Sequence, residues 1–391
     1  LIDNPEVPAI FEATFEHHGV LVRVDVLERR GLAFRLVEVK SSTDVKPYHS
    51  HDLGIQKYVA EGCGIFLNEV ALMHLNRNYV YNGEVDHNGN RRYDLRRLFV
   101  VTPISPSTAA CVSRVLVQQF DALRQPQLPT VAPGSQCSDP YRCEFHSVCN
   151  PPVPEWDVRA LPIATWKAER LRERGILTVD DLPDGFSLRF VYHLTPKECL
   201  AAMAAKRRVL HVRSGLSLAV ATLSFPLCFL DFETYWPALP WHAGMRPYEH
   251  IPFQWSLHRQ EHPSAPLEHS QFLWEQSDDP RPSFTRSLCE ALDGAGTIVV
   301  YNQSFESSRL KELANWLPLH RAQLLAIRKK LWDLLPVVRR HVYHPGFQGS
   351  YSLKRVLPAL LPHMGYEEMS IADGSQAGRS WERLVHCPDD S

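Results

Sequence analysis

No long hydrophobic run interrupts this sequence, and no charge of one sign dominates it. The most apolar stretch, Leu216 to Leu230, is shorter than a bilayer requires, carries Ser217, Ser224 and Pro226, and runs straight into Asp231. It is read as core, and no membrane association is expected. Lysine and arginine number 42 against 44 acidic residues, a net charge of −2. There is no basic footprint, but metal-binding carboxylates can mask a local positive groove, so charge neither supports nor excludes a polyanionic partner. No basic segment followed by an apolar one opens the chain at Leu1, so no signal peptide is expected. Nine cysteines in 391 residues are too few for a disulfide scaffold, and three of them crowd into one loop. That pattern points to a metal site in a reducing, cytoplasmic compartment.

What is present is an ordinary globular composition, 44% hydrophobic and 22% charged. A chain of 391 residues exceeds the size at which one core keeps growing, so two domains and a small connector are expected. The pattern is α/β. Val20 to Leu27 and Ala33 to Lys40 are both β-rich, with Arg29-Arg30-Gly31 as the turn of a hairpin. Glu38 and Lys40 share one face of the second strand by the period of two, and Asp25 reaches that face from the first. Two carboxylates to hold Mg²⁺ and a lysine to stabilise negative charge suit phosphodiester hydrolysis. Surface ion pairs produce the same pattern. Asp52 and Gln56, at i and i+4, read as a solvated helix face opposite Leu53 and Ala60.

Further on, Asn76 to Tyr81 reads as a strand whose Arg77, Tyr79 and Tyr81 either contact nucleic acid or pack inward. Ser107 to Arg124 has helical period. Then Cys137, Cys143 and Cys149 stand at even intervals in a proline-rich loop. With His146 they could complete a four-ligand zinc site, and soft thiolates equally suit an iron–sulfur cluster. Cys63 and Cys111 are alternative fourth ligands. Helices over Leu161 to Gly175 and Pro196 to Val209 make a connector, whose Lys206-Arg207-Arg208 either touches phosphate or caps a helix end.

The last stretch begins at Phe225-Pro-Leu-Cys-Phe-Leu-Asp-Phe-Glu-Thr234, a buried strand that ends by placing Asp231 and Glu233 on one face. Two like charges so close call for a cation, and Mg²⁺ or Mn²⁺ is the usual one. A strand over Pro252 to His258, a helix over Pro282 to Leu292, a strand over Thr297 to Tyr301 and a helix over Ser307 to Leu317 follow, with Glu306 at the head of the last.

Asp25, Glu38-Val39-Lys40 and the helical Asp52-Leu-Gly-Ile-Gln56-Lys-Tyr58 resemble the RecB-type branch of the PD-(D/E)XK nucleases. That resemblance implies catalytic roles for Asp25, Glu38, Lys40 and Gln56, with Tyr58 two residues from Gln56 where the family spaces the pair by four. It also implies that Cys137, Cys143 and Cys149 bind a 4Fe-4S cluster. Asp231, Glu233 and Glu306 resemble the carboxylates of DnaQ-like, RNase H-fold exonucleases, whose fourth ligand is implied to be Asp390 of His386-Cys-Pro-Asp-Asp390, with Asp333 in support. The whole chain resembles a bacterial family that joins the two modules: 1–150 RecB-like, 151–222 connector, 223–391 DnaQ-like. The expectation is a metal-dependent nuclease acting on DNA sooner than RNA. The alternatives are a nucleic-acid-binding or regulatory protein with decayed sites, and a structural metalloprotein.

Overall fold

The computed structural model describes residues 1–104, 111–127, 129–132, 134–149, 156–366, 369–371 and 373–386. It is a mixed α/β structure in two compact units: Leu1–Pro151 with Pro237–Glu249, and Pro152–Trp236 with His250–Ser391. Among the described residues no helix is long and apolar enough to cross a membrane.

The first unit is a five-stranded sheet in the order β1-β2-β3-β4-β5, formed by Ala9–His17, Val20–Arg30, Ala33–Lys40, Leu67–Leu75 and Phe99–Pro103. The predicted hairpin is β2 and β3, antiparallel with Val26 opposite Val37, and Gly31 takes a φ of 67° in its turn. β3 and β4 are parallel, which requires a crossover. The helix Pro47–Gly62 supplies it. His49, Leu53, Gln56 and Ala60 are its buried stripe, so Gln56 belongs to the face turned to the sheet. Leu27, Leu36, Leu53 and Leu72 are fully buried around that interface. Truncating any of them to alanine would cost about 2–5 kcal/mol.

The expected strand Asn76–Tyr81 is a loop instead. Tyr79 and Tyr81 are buried, and a second small core forms there with Leu75, Leu98, Tyr93, Ala238 and Tyr248. Segment 237–249 therefore belongs to this unit although it lies between two strands of the other. Tyr81 N donates to Met245 O at 2.9 Å, Tyr93 Oη to Pro240 O at 2.9 Å and Arg91 Nε to Trp241 O at 3.0 Å. At Gly83, with φ of 86°, a Cβ would meet Ala243 Cβ at 2.8 Å, so only glycine admits this approach.

The second unit contains a five-stranded mixed sheet in the order β11-β10-β7-β8-β9. Its strands are β7 (Leu227–Tyr235), β8 (Ile251–Gln260), β9 (Glu268–Leu273), β10 (Thr297–Val300) and β11 (Leu331–Asp333). A separate two-stranded pair joins β6 (His211–Val212) to β12 (Val342–Tyr343). β7 to β9 form an antiparallel meander, while β10 and β11 run parallel to β7. Helix Arg281–Ala291 links β9 to β10, and helices Ser304–Trp316 and Arg321–Lys329 link β10 to β11. From Cys228 onward β7 alternates: Cys228, Leu230, Phe232 and Thr234 are buried, and Phe229, Asp231, Glu233 and Tyr235 face the other way.

One expectation needs correcting in this unit. The apolar run Leu216 to Leu230 is not core throughout, because Gly215–Val220 forms a short helix with no buried residue. The connector, 156 to about 209, builds its own helical core of Leu161, Leu171, Leu182, Leu188 and Leu194, and Tyr343 packs into it. Its basic triplet is largely spent internally. Lys206 donates to Leu182 O, and Arg208 pairs bidentately with Asp180 at 2.7 Å while lying over Trp156.

Candidate active sites

In the first unit Asp25 lies within β2, one residue outside its ladder with β3, and Glu38 and Lys40 lie at the end of β3, and the structure brings them together. Asp25 Oδ2 accepts from Val39 N at 2.7 Å. Glu38, 6% exposed, accepts at Oε1 from Lys40 Nζ and at Oε2 from Gln56 Nε2 at 2.7 Å. Gln56 thus lies against Glu38. Tyr58 does not: its hydroxyl meets His18 Nδ1 at 3.0 Å, away from the carboxylates. Its place two residues after Gln56 turns it to a different side of the helix.

Asp52 is a site residue that sequence reasoning assigned to solvent. Lys40 Nζ donates to its Oδ2 at 2.8 Å and Gln56 Nε2 to its Oδ1 at 3.3 Å. The i, i+4 spacing from Gln56 carried the signal, because it places both side chains on one face whichever way that face turns. Burial pushes the Glu38 carboxyl up, the bonds from Lys40 and Gln56 pull it back, and Asp25 pushes it up again. Burial pulls the Lys40 ammonium down, but the bonds to Asp52 and Glu38 outweigh it and hold the proton firmly. Gln56 Oε1 is buried with no hydrogen-bond partner among the described residues. An orphaned acceptor beside three carboxylates is what a bound cation would satisfy.

The cysteine loop lies beside this site. Tyr141 Oη donates to Tyr48 Oη at 3.2 Å at the head of the site-bearing helix, with the rings 5.6 Å apart. Cys137 is half-buried, Cys143 and Cys149 are exposed, and all three are free thiols. The alternative ligands are engaged elsewhere: Cys63 Sγ donates to Glu16 O at 3.1 Å, and Cys111 Sγ accepts from Arg114 at 3.9 Å. As placed, no three His, Cys, Asp or Glu side chains among the described residues form a group that could hold a metal ion, and this applies to the cysteine loop as to the carboxylates.

In the second unit Asp231 and Glu233 share the outward face of β7. The ladder with β8 shifts there: Glu233 faces Gln254 and Thr234 faces Pro252, so β8 carries an extra residue. Such a bulge re-aims the side chains next to it. Glu306, on the first turn of helix Ser304–Trp316, is 3% exposed, and its Oε2 has no hydrogen-bond partner among the described residues. Burial pushes Glu306 up to about 7, with Asp231 adding to it, and burial with Asp231 and Asp373 pushes Glu233 up to about 7. Asp231 keeps an open side to solvent, yet dense surroundings raise its carboxyl too. These carboxylates feel one another and are protonated or repelling near neutrality. The donor set is all oxygen and includes an orphaned buried atom, which fits a hard divalent cation, although the side chains are not drawn to one point.

Asp390 lies outside the described residues. Asp373 instead stands at the head of helix Gly374–His386, where its Oδ1 accepts from Gln376 N at 2.8 Å. Gly374 lies so close to Glu233 that a Cβ there would be 3.1 Å from Oε2. Lys354, which lowers Glu233, and Tyr366, raised by burial and by Asp231, complete the surroundings. All of these come from the stretch that begins with Gly349-Ser-Tyr-Ser-Leu-Lys354, a motif visible in the sequence without any indication of where it folds back. Asp333 is not a supporting ligand but a backbone clamp. Its Oδ1 accepts from Asn302 N and Leu335 N at 3.0 Å, and its Oδ2 from Gln303 N at 3.1 Å.

Comparison with known proteins adds little chemistry. Residues 228–352 match the family called Domain of unknown function (DUF2779). An uncharacterized protein of Ureaplasma parvum serovar 3 is 31% identical over 118 residues, covering 22% of this chain and 17% of that protein. The chain thus spans about a sixth of the length of that relative. No solved structure matches.

Proposed function

We propose that the protein is a metal-dependent nuclease that hydrolyses phosphodiester bonds of DNA in preference to RNA, with a RecB-like site in the first unit and a DnaQ-like site in the second. The observation that carries the reading is the trio Asp231, Glu233 and Glu306: carboxylates with raised pKa values and one buried oxygen that accepts nothing from the described residues. Asp231 raises both Glu233 and Glu306, and perturbed acids gathered in this way are characteristic of functional sites. The order β11-β10-β7-β8-β9, with the acids on its central strand, supports the RNase H-like assignment of this unit.

Magnesium or manganese held there would supply Lewis-acid activation of water and neutralise the leaving oxygen. The chain's part is to hold oxygen donors on a rigid sheet, Asp231 and Glu233 from β7 and Glu306 from the neighbouring helix. In the first unit Lys40, kept cationic by Glu38 and Asp52, is positioned to stabilise negative charge on phosphate, while Gln56 orients Glu38. The cysteine loop is proposed to take up an iron–sulfur cluster, with zinc as the second candidate.

The test is cleavage of end-labelled single- and double-stranded DNA by the full chain with Mn²⁺ and with EDTA. Metal-dependent shortening of the 3′ end should be abolished in Asp231→Asn and retained in Glu38→Gln. Absence of cleavage by the wild type under all conditions, or full activity in the Asp231→Asn, Glu38→Gln double variant, would reject the reading.

A further inference from the structure

A cleft of about 610 Å³ opens in the second unit, a volume in the range of small-ligand sites. Its walls are Tyr301 and Asn302 after β10, Leu335 and Arg339 on helix Leu334–His341, and the turn Gly349 to Leu353. Asn302 stands four residues before Glu306, and its amide is fixed by Asp333, so the cleft adjoins the carboxylate trio through one short segment. Its polar lining consists of donors. The Ser350 and Ser352 hydroxyls lie 3.2 Å apart. Ser352 precedes helix Leu353–Leu360 without making a side-chain cap, which leaves the helix's first amides to another acceptor. Arg339 is exposed and has no salt bridge among the described residues. It lies near enough to Tyr301 and Tyr351 to lower both, against the burial that raises them. Arg213, which donates to Arg340 O at 2.7 Å, adds a second positive charge near Tyr351. Among the described residues no carboxylate lines the cleft.

A cavity with an unpaired arginine, two hydroxyls, an uncapped helix start and two tyrosines has the donors and flat faces of a nucleotide site. We propose that this cleft seats a backbone phosphate of the nucleic-acid strand whose neighbouring phosphodiester lies at the carboxylates, with Arg339 as its cation. The inference rests on the nuclease reading and deepens it by separating strand binding from chemistry.

Fluorescence anisotropy of labelled (dT)12 and (U)12 in EDTA, with the full chain, isolates binding from cleavage. Arg339→Ala should weaken binding about tenfold and reduce the salt slope by about one, while Arg339→Lys restores the slope and Arg170→Ala, a substitution in the connector helix, changes neither. Rate measurements with Mn²⁺ should show a raised KM and a nearly unchanged kcat for Arg339→Ala. If the wild type binds and cleaves but Arg339→Ala binds with the same affinity and slope, the subsite is wrong and the nuclease reading stands. If the wild type neither binds nor cleaves, both fall.

Discussion

Glu306 keeps a carboxyl oxygen in the interior without a donor among the described residues, and its acidity records the cost. Its folded pKa of about 7 lies above the ordinary 4.5, so the native state binds the proton more tightly than the unfolded chain. Below pH 4.5 both states are protonated and there is no penalty. As pH rises from 4.5 through 7 the unfolded chain ionises first, and stability falls by on the order of 3 kcal/mol before levelling off. Glu306→Gln should therefore raise the melting temperature by several degrees at pH 8 and leave it nearly unchanged at pH 4.5, at the expense of activity. Mn²⁺ should raise the wild-type melting temperature at pH 8 more than at pH 5.5, because cation and proton satisfy the same oxygens. Scanning fluorimetry across that range decides, and a variant less stable than wild type at pH 8 would show that Glu306 holds the fold instead.

At the scale of elements, Asp333 links the end of β11 to the loop after β10 through three backbone amides, and that loop begins the helix carrying Glu306. Asp333→Ala should cost about 1–3 kcal/mol and lower kcat roughly tenfold with little change in KM. Asp333→Asn, which keeps the Oδ1 acceptor, should recover most of the stability. Loss of KM with kcat intact would argue that Asp333 meets substrate. The cysteine loop is the other element to test. Anaerobically purified protein should carry iron and acid-labile sulfide, lost in Cys143→Ser, whereas stoichiometric zinc would favour the zinc assignment.

The elements show where the sequence was legible. β-rich composition gave β2 and β3, and the period of two gave the site faces of β3 and β7, because successive side chains of a strand point to opposite faces. Glu306 was legible because its helix follows a short apolar strand. Asp52 was not, since a polar residue beside a buried stripe looks the same whether its neighbour is water or Lys40. Tyr79 and Tyr81 were misplaced in a strand because the residues that bury them, Ala238 and Tyr248, lie some 160 positions later in the chain. Asp373 was missed for the same reason: nothing local says that helix Gly374–His386 packs on β7.

For the whole molecule, the division into units is not a division of the chain into two lengths. The polypeptide passes from one unit to the other after Pro151, again after Trp236 and a third time after Glu249. A chain emerging from the ribosome therefore cannot complete the small core around Tyr81, nor the bond from Tyr248 Oη to Ser41 O next to Lys40, until residue 248 is free of the tunnel. By then β7, with Asp231 and Glu233, has left the tunnel, but β8 has not. Maturation of the first site is thus timed by translation of the second unit, and a fragment ending near residue 150 would carry Asp25, Glu38 and Lys40 without the brace that finishes their strand.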